Sequence, residues 1–170
     1  MPKPPQVHEL EFIRITQNHG EFSKRLSSIQ VSNGADDMAH AQHVGLCWFK
    51  LGEEHLAEAK TAAAGGTRRS AYSRAYYAVY NVSKATRYLV NGVVSLKGDD
   101  HKQASVLPDD FPDAVRWAIA ISSLYQNRLR ADYDNWSTTA ADFDMPVPDA
   151  ITSSETCVSA ARTYLVTKFG

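Results

Sequence analysis

The chain has little of what would place it in a specialised class. Its two cysteines, Cys47 and Cys157, lie far apart and in no Cys-x-x-Cys or Cys/His cluster, which speaks against a disulfide scaffold or a zinc site. Both read as small buried hydrophobes in a reducing, cytoplasmic setting. Neither sign of charge dominates. A formal net charge of -1 gives no global pull toward nucleic acid or anionic membrane, so any such binding has to come from a local basic patch. No apolar run approaches the length that a bilayer span requires, and no membrane partner is expected. The opening Met1-Pro2-Lys3-Pro4-Pro5 lacks the apolar core of a signal peptide. There is no phosphate-binding loop, no dinucleotide fingerprint and no strand-turn-helix nucleophile motif, so no cofactor is expected.

What is present is an ordinary apolar content of 44% in 170 residues, enough for one domain with a real core. The first 35 residues differ from the rest. Residues 10–16 are β-branched and aromatic, Asn18-His19-Gly20 is a turn signal, and residues 22–31 can return as a strand. This predicts a short β-hairpin or extended arm over 1–35. The remainder, 36–170, reads as helices. Asp36 or Asp37 can cap a first helix to about residue 63, with Ala41, Val44, Trp48, Leu51, Leu56 and Ala59 on its apolar face and Gly65-Gly66 ending it. A second helix spans about 67–90, with Tyr72, Ala75, Tyr76, Val79, Val82, Thr86 and Leu89 as one wide buried stripe. Its remaining faces carry Arg68, Arg69, Arg74, Lys84 and Arg87, and the first three could form a local basic patch.

Residues 93–109 read as a loop with one helical turn near His101. Asp109 or Asp110 can cap a third long helix to about Trp136, with Val115, Ala118, Ile121, Ser122, Tyr125, Leu129 and Trp136 at near-helical spacing. A last helix covers roughly 149–168, with Ile151, Val158, Ala161, Leu165 and Val166. The expected fold is all-α: an antiparallel up-and-down bundle of four main helices with a short N-terminal addition.

The segment from Asn127 to Asp134 gathers two arginines, two carboxylates and a tyrosine within two helical turns. Arg128 and Asp132 are four apart and can pair on one helical face. Ile121 and Tyr125 lie on that same face, so the pair is either a structural ion bridge or the centre of a polar site. Tyr77 and Tyr80 share a face distinct from that of Tyr76, which suits a contact with another helix or subunit. His101 sits in the loop without a partner in sequence. His40 and His43 are three apart but have no carboxylate at matching spacing, so no metal site is read there.

Three segments together resemble the HEPN superfamily, closest to its small prokaryotic members. They are Ala71-Tyr72-Ser73-Arg74-Ala75-Tyr76-Tyr77-Ala78-Val79-Tyr80, then a loop with His101-Lys102, then Leu124-Tyr125-Gln126-Asn127-Arg128-Leu129-Arg130-Ala131-Asp132-Tyr133. The resemblance covers roughly residues 36–168. It implies a helical bundle paired as a symmetric homodimer or held in a defence complex. Many members are metal-independent ribonucleases of toxin–antitoxin, CRISPR or phage-defence systems, and others bind RNA or nucleotides. The ribonuclease members carry an arginine followed, after four to six residues, by histidine. Arg128 matches the arginine, but the corresponding later positions are Tyr133, Asp134 and Asn135. The resemblance therefore implies a binding module for RNA, a nucleotide or a protein partner, with Arg128 and Arg130 on phosphate and Asn127 and His101 assisting. The alternatives are a variant ribonuclease, in which Arg128, Asp132 and Tyr133 would be catalytic, and a purely structural subunit.

Overall fold

The computed structural model describes residues 17, 18, 20, 21, 34–95 and 100–169, with the side chains of 34–38 and 40 left aside. Most of the hairpin expected over 1–35, the capping side chains of Asp36 and Asp37, and the His40 ring lie outside the described residues. Among the described residues four long helices carry the fold: α1 (Gly34–Ala64), α2 (Arg68–Asn91), α4 (Ala114–Tyr133) and α5 (Val147–Phe169). A short helix α3 (Asp100–Gln103) and a 3-10 turn (Ala140–Asp142) complete them. The described residues contain no strand; one isolated antiparallel bridge joins Asn18 to Val93. No helix among them is long and apolar enough to cross a membrane.

The glycine punctuation works as its chemistry requires. Gly66 (φ 73°) follows the end of α1 and Gly92 (φ 71°) caps α2 in the left-handed region, where a Cβ would be strained. The intervening turn is only three residues long, and α1 and α2 pack along much of their lengths.

Helix α2 is the centre. Thirteen of its 24 residues are buried, and they cover more than one face, as expected of a helix enclosed by others. It packs against α1, α4 and α5, whereas α4 and α5 barely touch each other. Its expected stripe is buried from Tyr72 through Thr86, with Leu89 partly so.

On two other helices the buried face departs from the expected one: at Leu51 alone on α1, where Ala41, Val44, Trp48, Leu56 and Ala59 are buried or partly buried, and over much of α4. On α1, Leu51 is exposed, while Gly45, Phe49 and Gly52 turn inward. A Cβ on Gly52 would stand 2.8 Å from the Ala78 carbonyl oxygen and 2.6 Å from Val82 Cγ2, so glycine sets how closely α1 approaches α2. On α4, Val115 is 76% exposed and Ser122 also faces out, while Trp136, expected within this helix, lies beyond its end at Tyr133 and is exposed. The buried face runs instead through Trp117, Ile121, Leu124, Asn127, Arg128 and Ala131. Counting apolar residues misplaces this face because two of its six members are polar. The helix also starts later than expected, with Asp113 at its N-cap. Asp110 instead accepts hydrogen bonds from Tyr164 and Lys168 of α5. Val166 of α5 is likewise exposed. Cys157 is buried, its thiol pushed up to about 12 by desolvation. Cys47 is exposed, contrary to expectation, with its Sγ 3.6 Å from His43 Nε2.

Gly52→Ala is expected to destabilise the fold by about 1–3 kcal/mol, because the added methyl meets backbone that cannot rotate away. Chemical denaturation checks this, with Gly65→Ala as the control, since there a Cβ meets nothing closer than 3.4 Å.

Candidate functional site

Four tyrosines of α2 build a polar centre inside the bundle. Each ring is wholly or partly buried, and each hydroxyl finds a polar partner from elsewhere in the chain, as an enclosed hydroxyl must. Tyr72 donates to the Met145 carbonyl. Tyr76 pairs with His101 Nδ1 at 2.9 Å. Tyr77 accepts from Arg128 Nη2 at 2.8 Å. Tyr80 donates to Asp100. Burial pushes the phenols of Tyr76 and Tyr80 well above their ordinary range, so both stay protonated.

Asp100 anchors the middle of this arrangement. It is only 3% exposed, and a carboxylate so placed needs charge partners. Arg87 reaches both its oxygens, at 3.2 and 3.4 Å, and Lys84 lies 3.9 Å away. Burial works against the charged carboxylate, but Arg87, Tyr80 and Lys84 outweigh it and hold its pKa below the usual value. Lys84 is itself sandwiched, 4.7 Å from the Trp48 ring centre and 5.8 Å from that of Tyr80. With Asp100 tied to α2, the adjacent His101 ring is laid on Tyr80 (4.4 Å between centroids) and near Tyr76 and Tyr77 (5.8 and 6.1 Å). Desolvation first, then the charge of Arg128, lowers the His101 pKa from 6.5.

Arg128 closes the cluster from α4. It is 8% exposed. Its Nε lies 2.7 Å from Asp132 Oδ2, an ion pair by distance in which the N–H points off the hydrogen-bond line. Its Nη2 donates to Tyr77 Oη and, at 3.2 Å, to Tyr133 Oη. The guanidinium also lies against both rings, 5.4 and 5.0 Å from their centres. Burial disfavours its charge, but these partners prevail and its pKa is raised. The bundle thus brings Arg128 and His101, 27 positions apart in sequence, to the same tyrosine, Tyr77.

Other residues of the arginine segment are engaged elsewhere. Asn127 is fully buried; its amide donates to the Ser123 carbonyl and accepts from the Asp144 N–H. Arg130 pairs with Asp144 at 2.6 Å and donates to the Asp142 carbonyl. The basic patch expected from Arg68, Arg69 and Arg74 is also largely committed. Arg69 donates to the carbonyls of Arg130, Ala131, Asp134 and Ser137 at 2.6–3.3 Å, which satisfies the open end of α4. Arg68 reaches the Thr138 carbonyl and lies over Phe143. Arg74 pairs with Glu58.

One residue at the cluster had no signal in the sequence. His55 of α1 places its ring 5.8 Å from Tyr77, with Nδ1 within 3.1 Å of both Glu58 and Arg74. It lies in a run of polar helix residues, where nothing marks it out. A groove of about 700 Å³ between α4 and α5 is lined by Trp117, Ala160 and Tyr164 among others, and shares no residue with the tyrosine cluster. The described residues hold no group of three or more His, Cys, Asp or Glu placed to bind a metal ion.

No family model matches the chain, no curated protein matches it, and no solved structure matches it.

His101 binds a proton less readily folded than unfolded, so its contribution to stability is present above 6.5 and declines as pH falls below that value. The groups facing it are Tyr76, Tyr77, Tyr80 and Tyr125, with Asp100, Lys84 and Arg128 setting the local charge. Melting temperatures measured from about pH 7.5 to about pH 5 should fall more steeply for the wild type than for His101→Gln. Parallel curves for the two proteins would contradict this.

Proposed function

We propose that this protein is a HEPN-like helical module that binds RNA or a nucleotide through phosphate at the Arg128 cluster and does not itself cleave its ligand. The observation that carries this reading is the meeting of Arg128 and His101 at Tyr77. Spacing in the sequence gives the two no common face; in the fold they border one tyrosine. A held guanidinium, phenolic hydroxyls and an imidazole are the groups that recognise phosphate oxygens. The positions reached after four to six intervening residues, Tyr133, Asp134 and Asn135, carry no histidine, which removes the proton-transfer group that a HEPN ribonuclease has there. The resemblance further suggests an up-and-down bundle acting as a homodimer or as a subunit of a prokaryotic toxin–antitoxin or phage-defence complex.

A second reading, a metal-independent ribonuclease with a variant site, is favoured by one feature. Two imidazoles, His55 and His101, lie 5.8 and 6.1 Å from the Tyr77 ring and come from different elements. RNA transphosphorylation needs one group to take the 2′-hydroxyl proton and another to protonate the leaving oxygen.

The two readings separate in one experiment. A single-stranded oligoribonucleotide is incubated with the protein in EDTA at low salt, and both binding and chain length are followed. Binding that weakens with salt and leaves the RNA intact supports the module. Cleavage lost in both His55→Gln and His101→Gln makes the protein a ribonuclease. If neither RNA nor a nucleotide binds at low salt, the phosphate reading is wrong and a protein partner takes its place. Because Arg128 is buried with several partners, Arg128→Ala is expected to cost about 1–3 kcal/mol of stability. Its binding is therefore measured well below its melting temperature, where a loss of about ten-fold or more is expected.

A further inference from the structure

We infer that the phosphate is gripped by the hydroxyls of Tyr77 and Tyr133, with Arg128 acting from behind them, and that the group which fits is a singly charged phosphodiester rather than a terminal phosphate. This rests on the phosphate-binding reading above and specifies how that site works. The argument is one of donor count. Arg128 Nη2 has two protons, and it donates to both Tyr77 Oη and Tyr133 Oη. Each hydroxyl is therefore an acceptor toward the arginine and has its own proton to give in another direction. Neither hydroxyl donates to any group among the described residues. An arginine that polarises two O–H groups this way makes each a better donor, because hydrogen bonds in a chain reinforce one another.

Access points the same way. Arg128 is almost enclosed, whereas Tyr133 is 67% exposed and Tyr77 is half-buried. The arginine's charge reaches a ligand most easily through the two hydroxyls. Charge then selects the ligand. Asp132 neutralises Arg128 at 2.7 Å, so the cluster offers two neutral donors and little net positive charge. That suits a phosphate with one negative charge, as in a diester, better than the doubly charged terminal phosphate of a nucleotide.

The test uses the full chain with a single-stranded oligoribonucleotide bearing hydroxyls at both ends, and AMP as competitor. Tyr77→Phe and Tyr133→Phe each keep the ring and remove one donor. Each is expected to weaken RNA binding about ten-fold, the effect of one hydrogen bond to a charged group. The slope of affinity against salt should stay unchanged, since no charge is lost. AMP, compared phosphate for phosphate, should compete poorly. Tyr133 is largely exposed, so its Phe variant folds and reports even if Tyr77→Phe does not. Wild-type affinity in both Phe variants would overturn the hydroxyl grip while leaving RNA binding by the module in place. Equal competition by AMP would overturn the diester assignment. If the wild type binds no RNA at all, this inference and the reading beneath it both fail.

Discussion

A tyrosine cannot be buried like a leucine: its ring is welcome in a core, but its hydroxyl is not unless something meets it. Of the tyrosines that helix α2 encloses, those at 72, 76, 77 and 80 draw other parts of the chain inward. Tyr72 fixes the segment before α5, Tyr76 and Tyr80 fix α3, and Tyr77 fixes the buried arginine of α4. Tertiary contacts and polar centre therefore share one origin. The same hydroxyls that close the core assemble the groups that make the site.

The arginines show how position sorts one residue type into different tasks. Arg69 gives its planar fork to four carbonyls and ends α4. Arg87 clasps a buried carboxylate and so holds α3 in place. Arg128 lies between a carboxylate and two phenols. In the first two, the Nη groups end on carbonyl or carboxylate oxygens, which have no proton to pass on. In the third, the guanidinium leans on hydroxyls that still have protons to donate. That difference, not the number of positive charges on the surface, singles out Arg128. A lysine has no rigid fork and could fill none of these three places equally well.

Much of the helical framework was legible from local pattern. The α2 stripe, the glycine stops after α1 and α2, and the turn of helix at His101 all appear where spacing and turn chemistry put them. The pairing of Arg128 with Asp132 was legible too, because it is local to one helix. The inward face of α4 was not, since Asn127 and Arg128 stand where an apolar count expects hydrophobes, while Val115 faces out. The tight approach at Gly52 was equally hidden, because a glycine in mid-helix carries no sign of which neighbour requires it. His55 entered the cluster unannounced for a related reason: its meaning depends on a ring from another helix.

Sequence alone determined the four long helices, the glycine stops after α1 and α2, the tyrosine-rich strip and the arginine with its carboxylate, since all of these follow from interactions within a few residues of chain. Only the tertiary structure decided which charges are shared. It joined Asp100 to Arg87, set His101 and Arg128 on a common tyrosine, and used Arg69 and Arg130 for packing. The physical reason is desolvation. Whether a polar side chain is available to a ligand depends on which oxygens and nitrogens enclose it, and those come from segments whose proximity exists only once the bundle has formed.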